Sequence, residues 1–357
     1  MTTESPRSIA VPDGGDARRA VHVSVVVPTH NGGTKLPATL AALERQTFPS
    51  ELYEVIVVDD GSSDGSAEIA EAAGARVVRH ACSRGAGAAR NSGTAAARAP
   101  IVAFLDDDCV ADPHWLSDLV APFDDPSVDG AGGRVIAAGP DGLVFRYVAA
   151  RNPWRPLPAS LLESASPLHR LRLYLRDIVR AGSPDEEPCD LFAVVGANMA
   201  FRTSILEELG GFDESYLVSE ETELCRRSHA RPGGARIVYR PSATVHHHFE
   251  PQLVGVLRRA RWYGEGNAQF AAAHDDVRLV VFPFPLAVAG AAVAAALSRH
   301  RGVMLAVPLL PLVAYCGWLR RALAQRRLEP LVYPYLQLAQ EVATMVGEGS
   351  VVFGRES

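Results

Sequence analysis

Four short apolar runs constrain this chain more than any other feature. Residues 21–29 (VHVSVVVPT), 53–59 (YEVIVVD), 75–79 and 101–106 are rich in β-branched residues or continuously apolar, as strands covered on both faces are. Between them lie helical stretches: 35–46, where Leu36, Leu40 and Leu43 recur on one face, then 66–73 and 85–98. Strands alternating with crossovers of this length predict an α/β fold, a mostly parallel sheet flanked by helices. Such open sheets bind ligands beyond the carboxyl ends of their strands. The residues to read are therefore Pro28-Thr29-His30-Asn31, Asp59-Asp60-Gly61-Ser62 and Asp106-Asp107-Asp108.

Three adjacent carboxylates at the tip of a core strand repel one another unless something neutralises them. Asp112, just before Pro113, has the place of a helix cap, which leaves the triplet unassigned. Hard divalent ions take oxygen ligands, often one or two carboxylates with phosphates and water completing the shell. A site for Mg2+ or Mn2+ with a diphosphate is the economical expectation. In VVDDGSSDGS (57–66) turn residues dominate and Asp64 suits a cap. Two carboxylates directly after a strand exceed what a turn needs, and Asp60 is a candidate to accept hydrogen bonds from a nucleobase or ribose.

SRGAGAARNSG (83–93) starts like a dinucleotide fingerprint, but Arg90 stands where the third glycine belongs and Asp106 is one of a triplet. Arg90 has a better use as a cation near a diphosphate; the small residues around it equally suit a helix packed closely on a sheet. Glu220-Glu221-x-Glu223 is either acid complementing a helix dipole or the source of a carboxylate base. His246-His247-His248 is either a solvated strand edge or the donor of a neutral imidazole to a metal.

The order VSVVVPTHN (23–31), VIVVDDGSSD (55–64), GAARNSG (87–93), FLDDD (104–108), GANMAFR (196–202), GGFDE (210–214), EETEL (220–224) and PSATVHHH (241–248) resembles the family-2 glycosyltransferases, inverting enzymes of the GT-A fold. The resemblance implies that Pro28, Thr29, Asn31 and Asp60 help hold the nucleotide, with Arg90, Asp106 and Asp107 also on the nucleotide side. It makes Asp106 and Asp108 the metal-binding DxD pair, brings His247 to the metal or diphosphate, and places Glu221 as the catalytic base. Two positions depart from the family pattern: Glu220-Glu221 replaces the usual Glu-Asp, which lengthens the base by one methylene, and His30 stands where an aromatic residue, commonly Tyr, is frequent.

The implied reaction moves a sugar from a nucleotide-diphosphate donor to an acceptor hydroxyl, on a lipid-linked saccharide or cell-envelope glycan. Competing readings are a polyprenyl-phosphate glycosyltransferase, whose acceptor needs no base, nucleotidyl transfer, and an inactive membrane-anchored module that binds sugar nucleotides. A net charge of −6 with both signs interspersed argues against a general nucleic-acid binder. Five cysteines without a CxxC pair read as reduced thiols.

Residues 1–20 lack the apolar stretch of a secretory signal and are expected to form a disordered tail. A GT-A domain is expected over 21–275, its nucleotide-binding half 21–125 and its acceptor half 126–275. In the last region, 276–357, two uncharged segments, 279–297 and 302–319, approach the length of a bilayer's hydrocarbon core. They predict a membrane hairpin with both ends, flanked by arginines, on the cytoplasmic face; the alternative is a pair of buried soluble helices or a re-entrant pair, because both segments are short and Pro283, Pro285, Pro308 and Pro311 interrupt them.

Overall fold

The computed structural model describes residues 21–159, 166–179, 187–216, 218–249, 251–274, 282–298 and 301–354. The expected amino-terminal tail, 1–20, lies outside the described residues. The apolar runs become β1 (Val23–Thr29), β2 (Tyr53–Asp59), β3 (Arg76–Arg79) and β4 (Ile101–Leu105), joined by α1 (Leu36–Glu44), α2 (Ser66–Ala72) and α3 (Ala86–Ala96). The chain continues through β5 (Cys109–Ala111), α4 (Trp115–Val120), β6 (Gly130–Ala138), α5 (Leu143–Arg151), β7 (Leu157–Pro158) and α6 (Pro167–Val179). Then come β8 (Leu191–Ala193), β9 (Asn198–Arg202), α7 (Thr203–Glu208), α8 (Glu220–His229) and β10 (Ile237–His248). Helices close the chain: α9 (Leu253–Ala273), α10 (Pro283–Ser298), α11 (Arg301–Ala306), α12 (Leu310–Ala314), α13 (Cys316–Gln325) and α14 (Tyr333–Gly354).

Eight strands form one twisted sheet in the order β3-β2-β1-β4-β9-β6-β10-β5. The pairs β3/β2, β2/β1, β1/β4 and β6/β10 are parallel, and β9 and β5 run antiparallel to their neighbours. Because β1 sits between β2 and β4, a crevice opens past its carboxyl end, where sheets of this kind bind ligands. One face of the sheet packs around Trp115, Leu116 and Tyr147, the other around Phe104, Phe201 and Phe212. Asn198 ties the middle together: its amide donates to the carbonyls of Arg134 and Ala243, both at 2.9 Å, and its oxygen accepts Trp115 Nε1 at 2.9 Å.

Two sequence expectations fail here. The spanning hairpin is not supported: among the described residues no helix is long and apolar enough to cross a membrane. The first apolar segment yields the 16-residue α10. The second is broken into α11, a 3-10 turn at Val307–Leu309, α12 and α13, because Pro308 and Pro311 cannot donate to a helical ladder and crowd the preceding turn. Asp112, expected to cap α4, instead accepts from His246 Nε2 at 3.0 Å, and no side chain caps that helix.

The carboxyl-terminal helices join the core of the sheet domain. Tyr315, Trp318 and Tyr333 are buried in the same cluster as Tyr147, whose ring lies 6.1 Å from Trp318 and 5.6 Å from Tyr333. Tyr174 on α6 and Tyr315 both donate to Glu341 on α14, at 2.9 and 2.8 Å.

Candidate active site

Register explains the triplet. β1 pairs with β4 so that Val26 faces Phe104; continued three residues, that pairing brings Thr29 beside Asp107. Thr29 Oγ1 donates to Asp107 Oδ2 at 2.5 Å, and Thr39 Oγ1 donates to the Asp107 carbonyl at 2.8 Å. Burial, together with its two acidic neighbours, raises the Asp107 carboxyl to about 6. Gly32 closes over this pair, since a Cβ there would lie 2.1 Å from Asp107 Oδ2.

The two flanking aspartates point elsewhere. Asp106 Oδ1 accepts from Arg90 Nη2 at 3.0 Å. Asp108 pairs with Lys35 at 3.2 Å and lies 3.4 Å from His247 Nε2. The antiparallel pairing of β10 with β5 sets His247 opposite Cys109, and the twofold alternation of a strand sorts the three histidines. His247 turns inward and is buried, His246 turns to Asp112, and His248 is exposed.

Asp108, Cys109 and His247 bring donor atoms within 4.8 Å of one another. Of these, Cys109 fits a hard cation poorly: burial, then the surrounding carboxylates, push its thiol well above its ordinary value, so it stays protonated. Burial lowers the His247 pKa despite Asp108 nearby, which keeps the imidazole neutral and its lone pair available. His247 Nδ1 is buried without a hydrogen-bond partner among the described residues. An anionic oxygen at Asp108 beside a neutral imidazole is a donor pair that fits Mn2+ or Mg2+; Asp106, held by Arg90, is not among the donor atoms gathered there. The Trp154 ring stacks on His247 at 4.5 Å and fixes its plane.

Arg90 is fully enclosed and does not face the crevice as a free cation. Its guanidinium bridges Asp106 and Glu220 and donates to the Gly196 carbonyl at 3.4 Å. It thereby clamps the end of β4 to the first turn of α8, a role that geometry gives it and spacing did not. Glu221, next to the clamp, carries a carboxyl raised well above its ordinary range, first by desolvation and then by Glu220. A base with a raised pKa suits proton removal near neutral pH.

On the nucleotide side, Asn31 adopts a left-handed backbone, φ 54°, and links two loops. Its Oδ1 accepts Ser63 N at 2.9 Å and its N–H donates to Ser62 Oγ at 2.9 Å. Pro28 is the half-buried penultimate residue of β1. Asp60 is buried and engaged by its own protein: His80 Nδ1 at 2.6 Å, Ser83 Oγ at 2.8 Å and the N–H groups of Arg84 and Gly85 at 2.9 Å. These hydrogen bonds outweigh its burial and hold its pKa below the ordinary value. Asp60 thus shapes the 82–85 loop directly, and it also holds His80, a partner without any motif to announce it.

A cavity of about 280 Å3 adjoins the metal-binding candidates, lined by Lys35, Arg151, Trp154, Arg259, Tyr263 and Gln340 among others. Arg259 and Tyr263 come from α9, beyond the last sequence motif. Only the arginine cluster before the apolar segments hinted at them.

A doubly wound sheet whose strand ends gather carboxylates, a neutral histidine and a helix-borne glutamate defines a nucleotide-sugar-binding protein of the GT-A class. Residues 24–210 match the profile described as Glycosyl transferase family 2, and the chain belongs to that family. The pre-mycofactocin glycosyltransferase of Mycobacterium tuberculosis is 29% identical over 289 residues, 80% of this chain and 53% of that protein. The glucosyl-dolichyl phosphate glucuronosyltransferase of Haloferax volcanii is 25% identical over 260 residues, 68% of this chain and 75% of that protein. The chain thus spans about half the length of the mycobacterial relative. Among solved structures, the mannosyltransferase PcManGT from Pyrobaculum calidifontis, in complex with GDP-Man and Mn2+, superposes with a TM-score of 0.55 at 18% identity, covering 94% of this chain and 88% of that one. That likeness concerns the fold.

Proposed function

We propose that the protein transfers a sugar from a nucleotide-diphosphate donor to an acceptor hydroxyl with inversion at the anomeric carbon. The observation that carries this is the Arg90 clamp, which holds the carboxylates ending β4 and the glutamates opening α8 in one charged cluster. Asp108 and His247 would hold a divalent ion, Mg2+ or Mn2+. When bound, that ion offsets charge on the departing diphosphate. Glu221 takes the acceptor proton, while Thr29 and Asn31 order the loops against the nucleotide. Asp107, held by Thr29, shapes the floor beneath it. The acceptor enters from the side of Trp154 and Tyr263, carried on a lipid-linked saccharide or envelope glycan at the cytoplasmic face of the cell membrane.

A second reading rests on the cavity lining. Lys35, Arg151 and Arg259 all border it, a setting that favours an acceptor bearing phosphate, such as a polyprenyl phosphate, which attacks without a base. A donor screen by mass spectrometry over common sugar nucleotides, with Mn2+ or with EDTA, tests the main proposal. Product must appear with one donor, require the metal, and vanish in Asp108→Ala with the fold intact by circular dichroism. Turnover by a folded Asp108→Ala protein would defeat it. Full activity of Glu221→Gln would select the phosphate acceptor.

A further inference from the structure

The apolar segments of the carboxyl-terminal region leave large side chains in solvent. On α10, Leu286, Val293 and Leu297 are 53%, 59% and 79% exposed; spaced seven and four residues apart, they make one stripe. The following turns add Met304, Leu305, Leu309 and Val313, with Leu305 77% exposed, and α13 adds Leu319 and Leu323. α6 displays a second stripe, Leu168, Leu171, Leu175 and Val179. Packing joins these elements, since α10 lies against α11 and α12, α12 against α13, and α13 against α6. A monomer facing water seldom gathers so many large apolar groups on adjoining elements.

The charge around them has one sign. Residues 277–328 contain seven arginines and no Asp or Glu. Arg320, Arg326 and Arg327 are exposed, as are Arg172 and Arg176 on α6. The acids at the margins are occupied: Asp177 is bound by Arg151 and Glu329 by Arg146. A second copy docking through this face about a twofold axis would set arginine against arginine. Anionic headgroups over an apolar layer match both the charge and the greasy stripes.

We propose that this face, formed by α6 and α10–α13, docks the protein on an anionic lipid bilayer, lying in the interface without crossing it. The inference is independent of the sugar-transfer reading, because vesicle binding is measured without turnover. The full chain is floated with vesicles of phosphatidylglycerol or of phosphatidylcholine. Recovery with phosphatidylglycerol is expected to exceed that with phosphatidylcholine by at least about tenfold. The pair Leu305→Glu and Leu309→Glu should cut partitioning by at least about tenfold. Arg326→Glu with Arg327→Glu, a pair outside any helix core, should cut it similarly on anionic vesicles only. Both variants should melt as the parent does. Cell membranes carrying the protein should release it to alkaline carbonate. Failure to float with phosphatidylglycerol overturns the proposal; so does retention after carbonate, which would mean a spanning segment. A dimer in sedimentation velocity that the leucine pair dissolves while vesicle binding persists would assign the face to self-association instead.

Discussion

Arg90 shows how a residue can carry one meaning in the sequence and another in the fold. It lies 130 positions from Glu220 and 16 from Asp106, and nothing local announces that it joins them. Glu221 gains its character from the same cluster, because desolvation and Glu220 together hold its proton to a higher pH. Glu221→Gln is expected to lower transfer about 10³-fold while donor affinity, measured by calorimetry, is retained. Wild-type rate should rise with pH through the raised Glu221 pKa, with a midpoint above the ordinary carboxylate value. Stability moves the opposite way. An unfolded glutamate ionises near pH ~4.3, whereas folded Glu221 keeps its proton longer; between the two values the folded state binds more protons and loses stability as pH rises. Glutamine removes that loss, so the variant should melt higher than wild type at pH 8 and at the same temperature at pH 4.

Among the elements, β10 and β9 decide most of what the motifs left open. A run of three histidines carries no face until the pairing with β5 assigns one, and that pairing brings the His247 imidazole to the Asp108 carboxylate. Asn198 on β9 satisfies two carbonyls and an indole N–H in the interior. Asn198→Ala strands all three, so a loss of about 3 kcal/mol is expected, read from denaturant unfolding. Helices α9 and α14 touch through glycines: a Cβ at Gly347 would come 2.0 Å from the Arg261 carbonyl, and one at Gly264 would come 2.0 Å from that of Thr344. Gly347→Leu should force the pair apart and cost at least about 2 kcal/mol. Because Tyr263 and Gln340 line one cavity from these two helices, the same change should raise the acceptor KM more than the donor KM.

Across the whole molecule, the sheet domain and the carboxyl-terminal helices share one core through Tyr147, Trp318 and Tyr333. A chain ending at residue 275 loses those aromatic partners, each covering roughly 150–250 Å2, and is expected to melt well below the full chain or to aggregate, as scanning calorimetry would show. The apolar runs, their helical crossovers and the strand-end carboxylates were legible in the sequence, because period and composition act over a few residues. So was the family, from its motifs in order. Within the acidic triplet, however, sequence could not say that Asp107 turns to Thr29, Asp106 to Arg90 and Asp108 to His247 and Lys35. Nor could it separate spanning helices from short ones: the prolines at 308 and 311 were visible interruptions, but a proline can kink a long helix or end it, and only the fold shows the segment broken there. The chain's local pattern determined an α/β sheet with carboxylates at its strand ends. Which partner each carboxylate meets was left to tertiary structure, because register and helix docking join residues more than a hundred positions apart, and only that packing sets burial, charge pairing and pKa.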